Sequence, residues 1–314
     1  MNSDISIEPG KLDHCDEIAR IYNAVSSRDN PDHVDLDGEY YRAGYQTPGV
    51  DVEDNVILVR ISGAGYVGYG TVFKSIEQES PVSRIALKVH PDFRKLGVGS
   101  TIFNELIRKA KSQRAQKVVS YIPDFRPSAI EFAEKRGMEP VKAWIKMSNF
   151  DIGAIPVRAT PPELTIREIH PSEDGSIWAD LQNEIFSDKI GYNPVTSETL
   201  MKFSTSDRFV SDFALFGYVD GKPVVYVLGT KLASSTKDDA RLIIDGVGTK
   251  GTHRRKGYGL AILLELLNRA KTKGYSRSDL VVIDDEEAAR QLYLKLGYTE
   301  RYRRIRYELD LLEN

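Results

Sequence analysis

Residues 83–90 read SRIALKVH, in which Ile85, Leu87 and Val89 alternate with polar or small neighbours, the period of two that sets one face of a β-strand against a core. A few residues later the period lengthens: in STIFNELIRKAK, Ile102, Leu106 and Ala110 fall on one stripe of an α-helix. Around these elements the first half of the chain predicts a short strand at ISIEP, a helix at DEIARIYNAV, and strands at NVILVRIS, YVGYGTVF and KVVSYI. A helix at SAIEFAEKRG follows, stopped by Gly137. The second half runs the same way, and its Asp220-Gly221 predicts a tight hairpin because both positions tolerate positive φ.

The order repeats because the sequence does. RKLGVG at 94–99 returns as RRKGYG at 254–259, an offset of 254 − 94 = 160 residues. The same offset carries Glu105 onto Glu265, Leu106 onto Leu266, Ala110 onto Ala270, Ala129 onto Ala289 and Gly137 onto Gly297, without an insertion. Loops tolerate changes of length readily, so a gapless register of this extent predicts one chain path used twice. The expected domains are 1–150 and 164–314, joined by a linker at 151–163, DIGAIPVRATPPE, whose prolines break any helical or strand period. A length of 314 residues suits two domains, each able to bury its own core.

Composition narrows the function. The chain is 41% hydrophobic and 28% charged, an ordinary globular mixture, and its net charge of -3 supplies no global field for nucleic acid. A polyanionic partner must therefore be met by a local patch. Cys15 is the only cysteine, which rules out an internal disulfide and fits a reducing compartment; the five histidines show no paired metal spacing, so no metal is expected. MNSDISIEPG carries neither a basic leader nor an apolar run, and no stretch reaches 18 apolar residues, so the expected location is cytoplasmic, away from membranes.

The repeated turn is the local patch. A strand that ends in Arg-x-x-Gly-x-Gly and enters a helix gathers main-chain N–H groups at the helix's positive end, a place suited to phosphate. Arg254, Arg255 and Lys256 add charge to the second copy, Arg94 and Lys95 to the first. Two decoys fail on context. GAGYVG at 63–68 fits a dinucleotide fingerprint, but a strand rather than a helix follows it; GVGTKGTH resembles a P-loop but has Thr252 where the lysine belongs. RYRRIRY at 301–307 reads as a charged closing strand rather than an RNA-binding stretch.

These residues resemble the GNAT superfamily of acyl-CoA-dependent N-acyltransferases, whose signature Q/R-x-x-G-x-G/A is matched at RKLGVG and at RRKGYG. AARQLYLKLGY at 288–298 is similar to the family's second recurring segment, a helix with a tyrosine four residues before its closing glycine. Residues 181–200 also resemble tandem members related to mycothiol synthase. The resemblance implies an α/β (α+β) fold of two tandem GNAT-like domains, each a mixed, centrally splayed β-sheet flanked by helices. It implies acetyl-CoA as co-substrate, its pyrophosphate on the turn and its pantetheine between 241–249 and 278–284, or between 83–89 and 117–122. The implied cofactor residues are Val247, Thr249, Arg254, Arg255, Gly257, Tyr258 and Gly259, with Val89, Arg94, Lys95, Gly97, Val98 and Gly99 in the first copy.

The copies differ where the family's chemistry falls. Tyr293 has the position of the family's general acid to the leaving thiolate, whereas the first copy has Ala133. Asp245 shares strand parity with Ile243 and Val247 and interrupts an apolar face, where the first copy has Ile85. Either Asp245 or water is then the base for the attacking amine, and an aspartate at a strand end bonded to backbone or to a nearby arginine such as Arg241 is the structural alternative; Glu184 and Asp188 are weaker candidates. The expected protein is an N-acetyltransferase that acts on a primary amine, with a diverged first domain. A non-enzymatic acyl-CoA sensor is the alternative. A small-molecule amine is the expected partner and a protein amine stays open.

Overall fold

The two periods become a sheet covered by helices, and the chain does this twice. The computed structural model describes residues 5–30, 33–47, 49–77, 80–189, 192–232 and 240–312. One unit comprises the residues up to Lys142 and those from Ile305 on; the other comprises Ala143–Arg304.

In the first unit the elements are β1 (Ile5–Pro9), α1 (Cys15–Asp29), α2 (Gly38–Tyr45), α3 (Val52–Asn55), β2 (Val56–Ile61), β3 (Gly65–Glu77), β4 (Ser80–Val89), α4 (Val98–Ser112), β5 (Lys117–Pro123), α5 (Pro127–Glu134) and the start of β6 (Glu139–Asn149). The strands lie in the order β1-β2-β3-β4-β5, antiparallel except for β4 beside β5. The second unit contributes β7 (Thr165–Glu168), α6 (Pro171–Phe186), α7 (Ser197–Ser204), β8 (Phe209–Val219), β9 (Lys222–Leu232), β10 (Arg241–Thr249), α8 (Tyr258–Thr272), β11 (Arg277–Ile283), α9 (Glu287–Lys295) and the start of β12 (Thr299–Asp310). Its order is β7-β8-β9-β10-β11-β6, with β10 and β11 the parallel pair.

The compact units depart from the 1–150 and 164–314 division. Residues 144–149 of β6 pair with β11, so the end of the first repeat belongs to the second unit. Conversely, the chain end returns to β5: Lys117 Nζ lies 3.0 Å from Glu308, and Leu311 N–H donates to Gln116 O at 2.8 Å. A sequence repeat marks duplicated chain, while a compact unit follows strand pairing, and the two need not share a border. The start of the expected linker is also structured, since Ile152 is buried and its N–H donates to Ser276 O at 3.0 Å.

What positions the site is the burial of the helix behind the turn. Ile262, Leu266, Leu267 and Ala270 of α8 are completely buried, as are Ile102, Leu106 and Ala110 of α4. Each large aliphatic side chain so buried contributes about 1.5–3 kcal/mol, so the heads of these helices are fixed. The hairpin at Asp220 and Gly221 has φ of +48° and +72°, as that dipeptide predicts. The arginines of RYRRIRY are engaged within the fold: Arg303 pairs with Asp284 at 3.4 Å, Arg306 with Glu77 at 2.7 Å, and Arg301 lies over Phe150.

Candidate active site

The repeated glycine turn has the same backbone in both units. Lys95 and Arg255 each have φ of +64°, and Gly97 and Gly257, which begin α4 and α8, have φ of +87° and +85°. A non-glycine residue in this region is disfavoured by about 1–2 kcal/mol, so the fold holds each turn in a shape its sequence alone would not choose. Arg254 N–H donates to Gly251 O and Ala261 N–H to Gly257 O; the six N–H groups between them, 255–260, form no main-chain hydrogen bond among the described residues. Neither helix has a side-chain cap or an acidic residue in its first turn, unlike α6, whose first turn holds Glu173 and Asp174. The positive end of each long helix therefore has no negative charge supplied by its own first turn.

Beside each turn the parallel strands part. β10 pairs with β11 only from Arg241↔Arg277 to Ile244↔Leu280, although both strands continue, and β4 pairs with β5 only from Val82↔Lys117 to Arg84↔Val119. Beyond these points one edge of Val247 and Thr249, and of Val89, is free of its parallel neighbour while the other edge stays bonded to β9 or β3. An extended ligand with amide groups fits such a gap as an added strand.

The second gap has a feature the first lacks. β10 is bulged, since Ile244 faces Gly229 and Gly246 faces Leu228, leaving Asp245 as the extra residue. The bulge corrects the expected parity: Leu242 and Ile244 share the α8-side core with Val247, and Asp245 does not lie on Val247's face. On the other face, a Cβ on Gly248 would meet Ile185 and Phe186 of α6, and one on Gly246 would stand 3.3 Å from the Tyr226 hydroxyl. The Asp245 carboxylate accepts from Thr230 Oγ1 at 2.7 Å and lies 3.8 Å from Arg208. Partial burial pushes its pKa above the usual aspartate value, against the pull of Thr230 and Arg208.

Tyr293 stands on α9, which reaches the head of α8 where Leu292 approaches Gly259. Its side chain is buried, its ring lies 5.9 Å from that of Tyr298, and its hydroxyl makes no hydrogen bond among the described residues. Burial, and next the Glu286 carboxylate, hold the phenol well above the ordinary tyrosine pKa, so it keeps its proton at neutral pH. The phenols of Tyr293 and Tyr192 are each near enough to Tyr226 to act on it electrostatically. Tyr226 donates to Gln182, and Tyr192 to Asn183 Oδ1 at 2.6 Å.

The remaining residues divide by what their side chains do. Tyr258 and Val98 point into the cores, and the Tyr258 hydroxyl donates to Glu163 at 2.8 Å, so only their main-chain N–H groups face the turn's task. Arg254 folds back onto Thr249 O at 3.2 Å; Arg94 binds Asp29 at 2.8 Å and approaches Val89 O at 3.5 Å. Arg255, Lys256 and Lys95 are exposed. Gly99 admits Phe132, which would stand 3.1 Å from an added Cβ. Glu184 pairs with Lys250 at 2.9 Å, and Asp188 lies 3.9 Å from Lys189. Sequence reasoning missed Tyr226, Gln182 and Tyr192; the signal for the bulge was Gly246 and Gly248 inside a strand, where glycine marks an irregularity or a close approach. Among the described residues no group of three or more His, Cys, Asp or Glu side chains could hold a metal ion, and no helix is long and apolar enough to cross a membrane.

Comparison with known proteins bears directly on this geometry. The profile of the Acetyltransferase (GNAT) family matches residues 18–138 and again 178–298, the same 160-residue offset. The mycothiol acetyltransferase of Catenulispora acidiphila is 26% identical over 259 residues, covering 79% of this chain and 78% of its own. That of Renibacterium salmoninarum is 25% identical over 222 residues, 68% of this chain and 63% of its own. Among solved structures, a GCN5-related N-acetyltransferase from Sphaerobacter thermophilus superposes with a TM-score of 0.81 at 21% identity, covering 98% of this chain and 95% of that one. A tandem GNAT protein from the clavulanic acid biosynthesis pathway gives 0.74 at 15% identity, covering 98% of both chains. With the family profile matched twice over most of its length, the chain belongs to the GNAT acetyltransferase family as a tandem member and is an N-acetyltransferase.

Proposed function

We propose that the second unit transfers the acetyl group of acetyl-coenzyme A to the primary amine of a small molecule, by direct attack. The observation that carries this reading is the run of six N–H groups at 255–260 without a main-chain partner among the described residues, at the head of α8 and beside the gap where β10 parts from β11. The residues fit the cofactor: Gly257, Gly259 and the N–H groups of Arg255 and Tyr258 suit a diphosphate, and the free edges of Val247 and Thr249 suit the pantetheine amides. Acetyltransferases of this family use acetyl-coenzyme A, which supplies the activated thioester.

In the step itself, the amine nitrogen bonds to the carbonyl carbon and the carbon–sulfur bond breaks. Tyr293 gives its proton to the departing thiolate, and the amine's surplus proton passes to Asp245 or to water. Asp245 suits the base because partial burial raises its proton affinity while Thr230 and Arg208 orient it. The first unit lacks both groups, having Ala133 and Ile85 at the equivalent positions, and is assigned no acyl transfer. The mycothiol acetyltransferase name of the relatives favours a small-molecule acceptor over a protein amine. The test is incubation with acetyl-coenzyme A and a panel of primary amines, following free thiol and acetylated amine together. Thiol release matched by N-acetyl product is expected; no amine-dependent release across the panel would overturn the reading.

A further inference from the structure

The two repeats carry opposite charges at one pair of equivalent positions. Asp29 and Lys189 are 189 − 29 = 160 residues apart, as are Arg126 and Glu286. In the second unit Lys189, just after α6, is ion-paired with Glu286, the residue that precedes α9. In the first unit Asp29, at the end of α1, lies 4.0 Å from Arg126, the residue that precedes α5. Each unit thus bridges its first long helix to the head of its last helix, with the signs exchanged. The bridge stands next to the phosphate turn in both units. Asp29 also holds the turn's own Arg94 at 2.8 Å, filling with a carboxylate the charge that an incoming phosphate would meet. No carboxylate pairs with Arg254 among the described residues, and the Lys189 ammonium lies close enough to Arg254 for the two cations to repel. An anion arriving at the second turn relieves that repulsion; one arriving at the first must displace Asp29.

We propose that Lys189 is a ligand for the phosphates of coenzyme A, leaving Glu286 when they arrive, and that Asp29 weakens the first turn, so that the second unit holds the stronger phosphate site. This rests on the reading of the RRKGYG turn as the diphosphate site. Lys189 contributes a charge-assisted hydrogen bond, whose usual strength corresponds to about tenfold or more in affinity.

The test is calorimetric titration of the full chain with coenzyme A, without an acceptor. Lys189→Glu is expected to weaken the tighter site at least about tenfold and to flatten its dependence on salt. Lys189→Arg should restore most of the affinity and guards against a folding artefact. In an Arg254→Glu background, which leaves only the first unit's turn intact, Asp29→Asn is expected to tighten binding by about tenfold. Unchanged affinity in Lys189→Glu, or no gain from Asp29→Asn, would overturn the proposal while leaving the turn's role standing. If Arg254→Glu itself fails to weaken the tighter site, the turn reading fails first.

Discussion

Replacing Tyr293 by Phe removes one oxygen and keeps the ring that packs against Tyr298. A positioned general acid contributes about 10²–10⁴-fold, so kcat should fall by that factor, about 3–5 kcal/mol of transition-state stabilisation at 1.36 kcal/mol per tenfold. KM for acetyl-coenzyme A should stay nearly constant, because the proton is needed only as the thiolate leaves. The stability effect has the opposite character. The Tyr293 side chain is 6% exposed and its hydroxyl has no hydrogen-bond partner among the described residues. The hydroxyl is not among the sealed, unpartnered polar atoms of the fold, so removing it gives up no intramolecular hydrogen bond among the described residues, and Phe at this position leaves Tm nearly unchanged. Steady-state thiol release together with thermal melts gives both readouts. An unchanged kcat refutes the acid role, and a lost kcat with a parallel fall in Tm attributes the loss to folding instead of chemistry.

Asp245→Asn should lower kcat/KM and remove the acid limb of its pH profile, a limb that in the wild type lies above the ordinary aspartate value of about 3.9 because partial burial favours the protonated carboxyl; a profile identical to wild type would assign the base to water. Glu77 and Arg306, 6% and 2% exposed, form an ion pair in which the two arginines Arg306 and Arg84 outweigh burial and hold the Glu77 carboxyl below its ordinary value. A depressed folded-state pKa gives stability that is present above the unfolded glutamate value of about 4.3 and is lost as pH falls through the folded one. Glu77→Gln should therefore destabilise the chain by about 3 kcal/mol at pH 7, the low end for a broken buried pair because Glu308 still binds Arg306, and the urea midpoints of wild type and variant should converge as the pH drops below 4. Midpoints that stay equally far apart at low pH would show that packing, not charge, is responsible.

Much of this molecule could be read from residues that act locally. The hairpin at Asp220 and Gly221 and the apolar stripes of α4 and α8 are fixed by a few neighbouring residues, and the glycine turns are marked by theirs, although the surrounding fold is needed to hold Lys95 and Arg255 at positive φ; each lies where the pattern puts it. The parity of Asp245 was misread because a bulge adds a residue to one strand only, a matter of how β10 meets β9 and not of β10's own sequence. Tyr226 was passed over for the same reason: it faces Gly248 across the sheet, and that partnership belongs to the register. The border between units was displaced because strand pairing, not repeat length, decides which residues pack together. Lys189 and Glu286, 97 residues apart, become neighbours only in the folded second unit, although their reversed counterparts at Asp29 and Arg126 were already present in the sequence.

The central claim is that the amides ahead of α8 grip a diphosphate and so bring a thioester to Tyr293. A crystal structure of the full chain with coenzyme A tests this most directly. The account predicts phosphate oxygens hydrogen-bonded to N–H groups within 255–260, the pantetheine between β10 and β11, and the sulfur within hydrogen-bond reach of the Tyr293 hydroxyl. Coenzyme A bound with its diphosphate away from that turn, or with its sulfur out of reach of Tyr293, would contradict it.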